Sequence, residues 1–197
     1  MHTVGLRLVS AAVAVLLAPG LVLAAPAPAR ADSQVSHDSA KDALKFFFGD
    51  GTTKRVRRDK THDIVRSRAA YGGGKLVLSL DVRALARNRW IASWYLKTSN
   101  GRWWVHHDKR KGPAYTSLFV YGGPEVLDCD GLRGRADRRR DRVTVVVPRG
   151  CIDAPQWVRF GSSMGLDTND WAILDDGRMK AGFLATTCRL GGKIRYG

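Results

Sequence analysis

The chain has 197 residues, with 33 Lys and Arg against 18 Asp and Glu, a formal net charge of +15, and three cysteines. Arg outnumbers Lys 23 to 10, and Glu125 is the lone glutamate. This length excludes two ordinary domains once a leader is removed, and the charge favours anionic neighbours such as wall polymers, lipid headgroups or nucleic acid, although a merely solvated Arg-rich surface would show the same count.

The first 31 residues have the parts of a cleavable secretory signal. A short cationic opening with His2 and Arg7 precedes an apolar run from Leu8 to Ala25, interrupted at Pro19-Gly20. Ala29-Arg30-Ala31 supplies the small-x-small pattern before a cleavage point after Ala31, with Ala25 as an earlier alternative. The interrupted run is short for a membrane span, and no later segment is apolar enough to cross a bilayer. The expected product is a secreted, extracellular domain of residues 32–197, a monomer carrying a charge of +13 because Arg7 and Arg30 leave with the signal.

Beyond the signal, Asp38 to Lys45 is compatible with a short helix, while Phe46-Phe47-Phe48 reads as a buried strand. From Asp63 onward the pattern is β. Ile64–Ala70 and Leu76–Val82 flank the turn residues Gly72-Gly73-Gly74, and further strands are predicted at Trp90–Thr98, Arg102–Asp108, Tyr115–Tyr121, Val126–Ala136, Arg142–Val147 and Gln156–Phe160. Short strands with turn residues between them predict an all-β fold, a single antiparallel sandwich of jelly-roll-like form. Residues 165–192 are Gly-broken and give no clear pattern.

Ser99-Asn100-Gly101-Arg102 carries an Asn-Gly hairpin signal. A two-residue loop there pairs Lys97 with Trp104 and Tyr95 with His106. One face then holds Trp94, Leu96, Trp103, Val105 and His107 and belongs in the core. The other presents Tyr95, Lys97, Arg102, Trp104 and His106, the candidate binding residues. Rings stack on the apolar side of a pyranose while polar neighbours bond its hydroxyls; the same set would suit stacked bases beside a phosphate. A second small core under a loop is the plainer alternative.

Cys129 and Cys151 flank two predicted strands joined by the polar turn Asp137–Asp141. If Arg138 pairs with Arg142, the two sulfurs fall opposite each other at bridging distance, which leaves Cys188 over as a small buried hydrophobe. The run Asp137-Arg138-Arg139-Arg140-Asp141-Arg142, at that hairpin tip, is the second place where an anionic polymer would be met.

Catalytic signals are weak. Gly161-Ser162-Ser163-Met164-Gly165 matches a nucleophile-elbow pattern, but no His follows His107 to complete the triad in that order. No pair of carboxylates is singled out for glycoside hydrolysis. His106-His107-Asp108 cannot bind one ion from a regular strand, since neighbours point to opposite faces. No catalytic residue, metal ligand or cofactor is therefore assigned; calcium on Asp167, Asn169, Asp170, Asp175 and Asp176 is the nearest exception, and turn chemistry explains those residues equally well.

Cys129-Asp130-Gly131-Leu132, Asp137 with Asp141, Val143–Ile152 and Pro155-Gln156-Trp157-Val158-Arg159, with Asp63-Ile64 and Leu76–Leu85 upstream, resemble a family of small secreted proteins of high-GC Gram-positive bacteria. The resemblance covers most of residues 60–160. It implies a β-sandwich with a Cys129–Cys151 bridge and brings no activity with it. The expectation is thus a non-enzymatic secreted sandwich that binds carbohydrate or an anionic cell-wall polymer. The alternatives are a basic enzyme or toxin acting on nucleic acid, and an envelope interaction protein.

Overall fold

A computed structural model describes residues 31–110, 112–123, 125–177 and 190–197; residues 1–30 of the expected signal and Cys188 lie outside them. In chain order the strands are β1 (Asp32–His37), β2 (Leu44–Phe47), β3 (Thr53–Arg55), β4 (Ile64–Gly72), β5 (Lys75–Val82), β6 (Trp90–Thr98) and β7 (Arg102–Lys109). Then follow β8 (Tyr115–Val120), β9 (Arg133–Asp137), β10 (Arg142–Pro148), β11 (Trp157–Asp167), β12 (Trp171–Asp176) and β13 (Ile194–Arg195). Two antiparallel sheets pack face to face as a β-sandwich: a five-stranded sheet ordered β1-β4-β5-β10-β9, and an eight-stranded sheet ordered β3-β2-β12-β11-β6-β7-β8 to which β13 adds against β11. No helix among the described residues is long and apolar enough to cross a membrane.

Alternation builds the core. Leu76, Leu78 and Leu80 of β5 and Val143, Val145 and Val147 of β10 meet Trp94, Leu96, Val105, Phe160 and Met164 of the facing sheet, all fully buried. Each such side chain contributes roughly 1.5–3 kcal/mol by leaving water. A polar pair crosses this interior as well: Ser67 of β4 and Ser162 of β11 share a hydrogen bond of 2.6 Å.

Four details depart from the sequence reading. The segment Asp38–Ala43 is a turn, not a helix, because the buried carboxylate of Asp63 accepts the Lys41 N–H at 2.9 and 2.8 Å while Lys41 adopts φ +72°. That leaves β2 to begin at Leu44, and Phe48 to lie 47 % exposed beyond the strand's end rather than buried in it. The predicted strand Val126–Ala136 is split between sheets: Val126 bridges Phe119, Gly131 turns the chain at φ +80°, and only then does β9 begin. The last predicted strand, Gln156–Phe160, runs on as β11 through Gly161–Gly165, so the nucleophile-elbow sequence is mid-strand and not a strand-to-helix turn.

Both predicted hairpin registers are also off. Between β6 and β7 the turn is Ser99-Asn100, closed by the Thr98 N–H donating to Gly101 O at 2.9 Å, with the Thr98 hydroxyl accepting from the N–H groups of Asn100 and Gly101. Lys97 therefore pairs with Arg102, Tyr95 with Trp104 and Ser93 with His106. The shift is by two residues, an even number, so both faces keep their membership. At the β9–β10 tip, Asp137 pairs with Arg142 because its carboxylate accepts the Arg139 and Arg140 N–H groups and makes a four-residue loop. The Cys129–Cys151 bridge forms nonetheless, with Cα atoms 5.7 Å apart. It lies beyond the ladder, where the Gly131 turn and the 3-10 turn Arg149–Ile152 bring the two chains together.

Candidate functional site

The outer face of the eight-stranded sheet gathers the five candidate residues. Register places Phe119, Trp104, Tyr95 and Gly161 in one cross-strand row, with Ser117, His106, Ser93, Ser163 and Asp176 in the next. Lys97 and Arg102 pair at the hairpin end beside Arg159.

The rings in this face touch one another. Tyr95 packs edge-on against Trp104 at 5.3 Å and against Tyr121 at 5.0 Å, and Trp104 and Tyr121 stack at 6.1 Å with planes 28° apart. Tyr121 is held there by its N–H, which donates to Arg102 O. Sequence reading missed Tyr121 because it follows β8 and reaches the cluster only through that pairing. The consequence for Tyr95 is burial: it is 7 % exposed, so it supports the face from beneath and is not an open platform. Gly161 lies opposite it in the strand pairing. Trp104 and Tyr121 remain half-buried, and Arg102 is exposed.

His106 lies between the rings of Trp104 (5.8 Å) and Phe119 (5.3 Å). Burial pushes its pKa down, outweighing the charge of Asp108, so the imidazole is neutral near pH 7. Its cross-strand neighbours are Ser93 and Ser117, while Asp176, the carboxylate in the same row, is three strands away, about 14 Å. Arg159 does not face a ligand, since its guanidinium donates to the carbonyls of Gly191 and Leu190.

The oxygen-rich stretch proposed for calcium does not converge. Asp167 and Asp170 are exposed, and Asp175 and Asp176 alternate across β12. Asp175 instead turns inward and meets residues distant in sequence. Asp42, Asp63 and Asp175 each place an oxygen within 4.8 Å of the others. Two of the three are engaged by the protein itself: Asp63 receives Arg83 at 2.6 Å and the Lys41 N–H, and Asp175 receives the Ile64 N–H at 2.7 Å, whereas Asp42 Oδ1 is buried without a hydrogen-bond partner among the described residues. Burial, reinforced by Asp38, Asp42 and Asp63, raises Asp175 to about 8, and burial raises Asp38 to about 6. The cluster balances its charge through Arg83 and through bound protons.

No protein-family model matches the chain, and no curated protein does.

Proposed function

We propose that the domain is a non-catalytic secreted sandwich that binds a carbohydrate or an anionic wall polymer through the outer face of the eight-stranded sheet. The observation that carries this reading is the partly exposed ring of Trp104, braced edge-on by Tyr95 and by stacking against Tyr121. A braced ring loses little freedom when a sugar stacks on it, which lowers the entropic cost of binding. Lys97 and Arg102, cross-strand partners one row away, supply donors for hydroxyl, carboxylate or phosphate groups. His106, neutral and seated among rings, fits an aromatic wall better than a general base.

The test is retention of the purified domain on insoluble wall material stripped of phosphodiester polymers and on polysaccharide columns. Trp104→Ala should abolish retention while the circular dichroism spectrum and unfolding midpoint stay near those of the parent. Equal retention of variant and parent removes the proposal.

A further inference from the structure

The outer face of the other sheet carries a different chemistry. Strand pairing aligns three rows across β4, β5, β10 and β9: Arg66–Asp81–Arg142–Asp137, then Arg68–Ser79–Thr144–Arg135, then Ala70–Val77–Val146–Arg133. Inward neighbours such as Ser67, Leu78, Val145 and Ala136 face the core, so all these side chains project outward.

Charge is distributed unevenly among the rows. In the first, Asp81 takes hydrogen bonds from both Arg66 and Arg142, and these outweigh its burial to hold the carboxyl below the usual range. Two cations there are neutralised by two acids. In the second and third rows Arg68, Arg135 and Arg133 have no acidic partner among the described residues. Between them the floor is short: the hydroxyls of Ser79 and Thr144 and the methyls of Val77 and Val146. Long cations on the outer strands and short residues on the inner two make a trough, and its β9–β10 side is a cavity of about 340 Å³ lined by Arg133, Arg135, Arg140, Arg142 and Thr144, with Asp137 at the end where the charges are paired. Four adjacent strands make it about 14 Å from the β4 row to the β9 row.

We infer that this trough is a second binding site, for a single linear phosphodiester polymer without bases, of the poly(polyol phosphate) type. Guanidinium groups on both walls match phosphate bidentately, and the floor hydroxyls bond its remaining oxygens. The two rows contain no ring on which a base could stack, which disfavours single-stranded nucleic acid. The trough is narrower than a nucleic-acid duplex, and a concave floor flanked by arginines does not match a flat lipid surface. The site is independent of Trp104, which lies on the opposite sheet.

The test uses the secreted protein and synthetic poly(glycerol phosphate), with single-stranded DNA, duplex DNA and anionic lipid vesicles as separate arms. The parent should bind the polyol phosphate with affinity that falls steeply with salt. The triple change Arg68→Gln, Arg133→Gln, Arg135→Gln should weaken binding at least tenfold and lower the slope of log affinity against log salt by about 2, at roughly 0.7 per lost phosphate contact. Trp104→Ala should leave this binding unchanged. No binding by the parent, equal binding by the triple variant, or tighter binding to either DNA or to vesicles would overturn the inference. The three residues are surface cations with no role in the core, and an unchanged unfolding midpoint confirms that a loss is not misfolding.

Discussion

Gly134 of β9 lies directly against the imidazole of His107 of β7, so that a Cβ at position 134 would overlap the ring. The two sheets meet there backbone to ring. His107 is 2 % exposed, and its Nδ1 is 2.9 Å from the Thr116 hydroxyl. Ring and strand have no room to separate without breaking that bond or disturbing Trp90, whose ring lies 5.5 Å away.

Gly134→Ala should therefore destabilise the domain by about 1–3 kcal/mol, the usual cost of overpacking. The reason is steric, since Gly134 is not among the glycines with positive φ. Urea unfolding would show a lower midpoint; a midpoint equal to the parent's would mean that the sheets do not approach as described. Burial also depresses the His107 pKa. The unfolded chain binds the proton more readily, so His107 contributes stability that is present above its ordinary value of 6.5 and is lost as pH falls below it.

The acidic cluster acts in the opposite direction. Asp175 is protonated in the folded state up to about pH 8 and ionises near 3.8 when unfolded. Its contribution is full below the lower value and is lost as pH rises through the upper one, and Asp38, raised to about 6, adds to the same trend. Asp175→Asn keeps an acceptor for the Ile64 N–H and removes the titration. The parent's melting temperature should fall between these limits as pH rises, and the variant's should fall less. Identical pH profiles would show that Asp175 is not held protonated.

The Cys129–Cys151 bridge ties the crossover between β8 and β9 to the one between β10 and β11, across a sequence separation of 22. Closing a loop of that size should contribute about 3 kcal/mol by restricting the unfolded chain. Replacing both cysteines with alanine should lower the urea midpoint accordingly and leave binding by folded protein intact. An unchanged midpoint would show that the two crossovers are held together by packing alone.

Much of the candidate site was legible because side-chain alternation has a period of two. Reading β6 and β7 one residue at a time assigns Trp94, Leu96, Trp103 and Val105 inward and Tyr95, Lys97, Trp104 and His106 outward, and the two-residue shift in register leaves that division intact. The cross-strand partners were not legible, because the Thr98 hydroxyl moves the turn by one residue to Ser99-Asn100. Nor was Tyr95's burial, which depends on Tyr121 folding back from the end of β8.

By itself the sequence determined what is local or additive: the alternation that makes strands, the apolar and polar sides of each, the cysteine pair flanking one hairpin, and the excess of arginine. Only the tertiary structure decided what depends on contacts between distant segments. Asp63 stops a helix near Asp38 from across 22 residues of chain, Asp42, Asp63 and Asp175 meet in one buried cluster, and Arg68 comes to face Arg135 across two intervening strands. The physical reason is that alternation is imposed by the backbone of a single strand, whereas register and strand order are set by turn hydrogen bonds and core packing that no single segment contains.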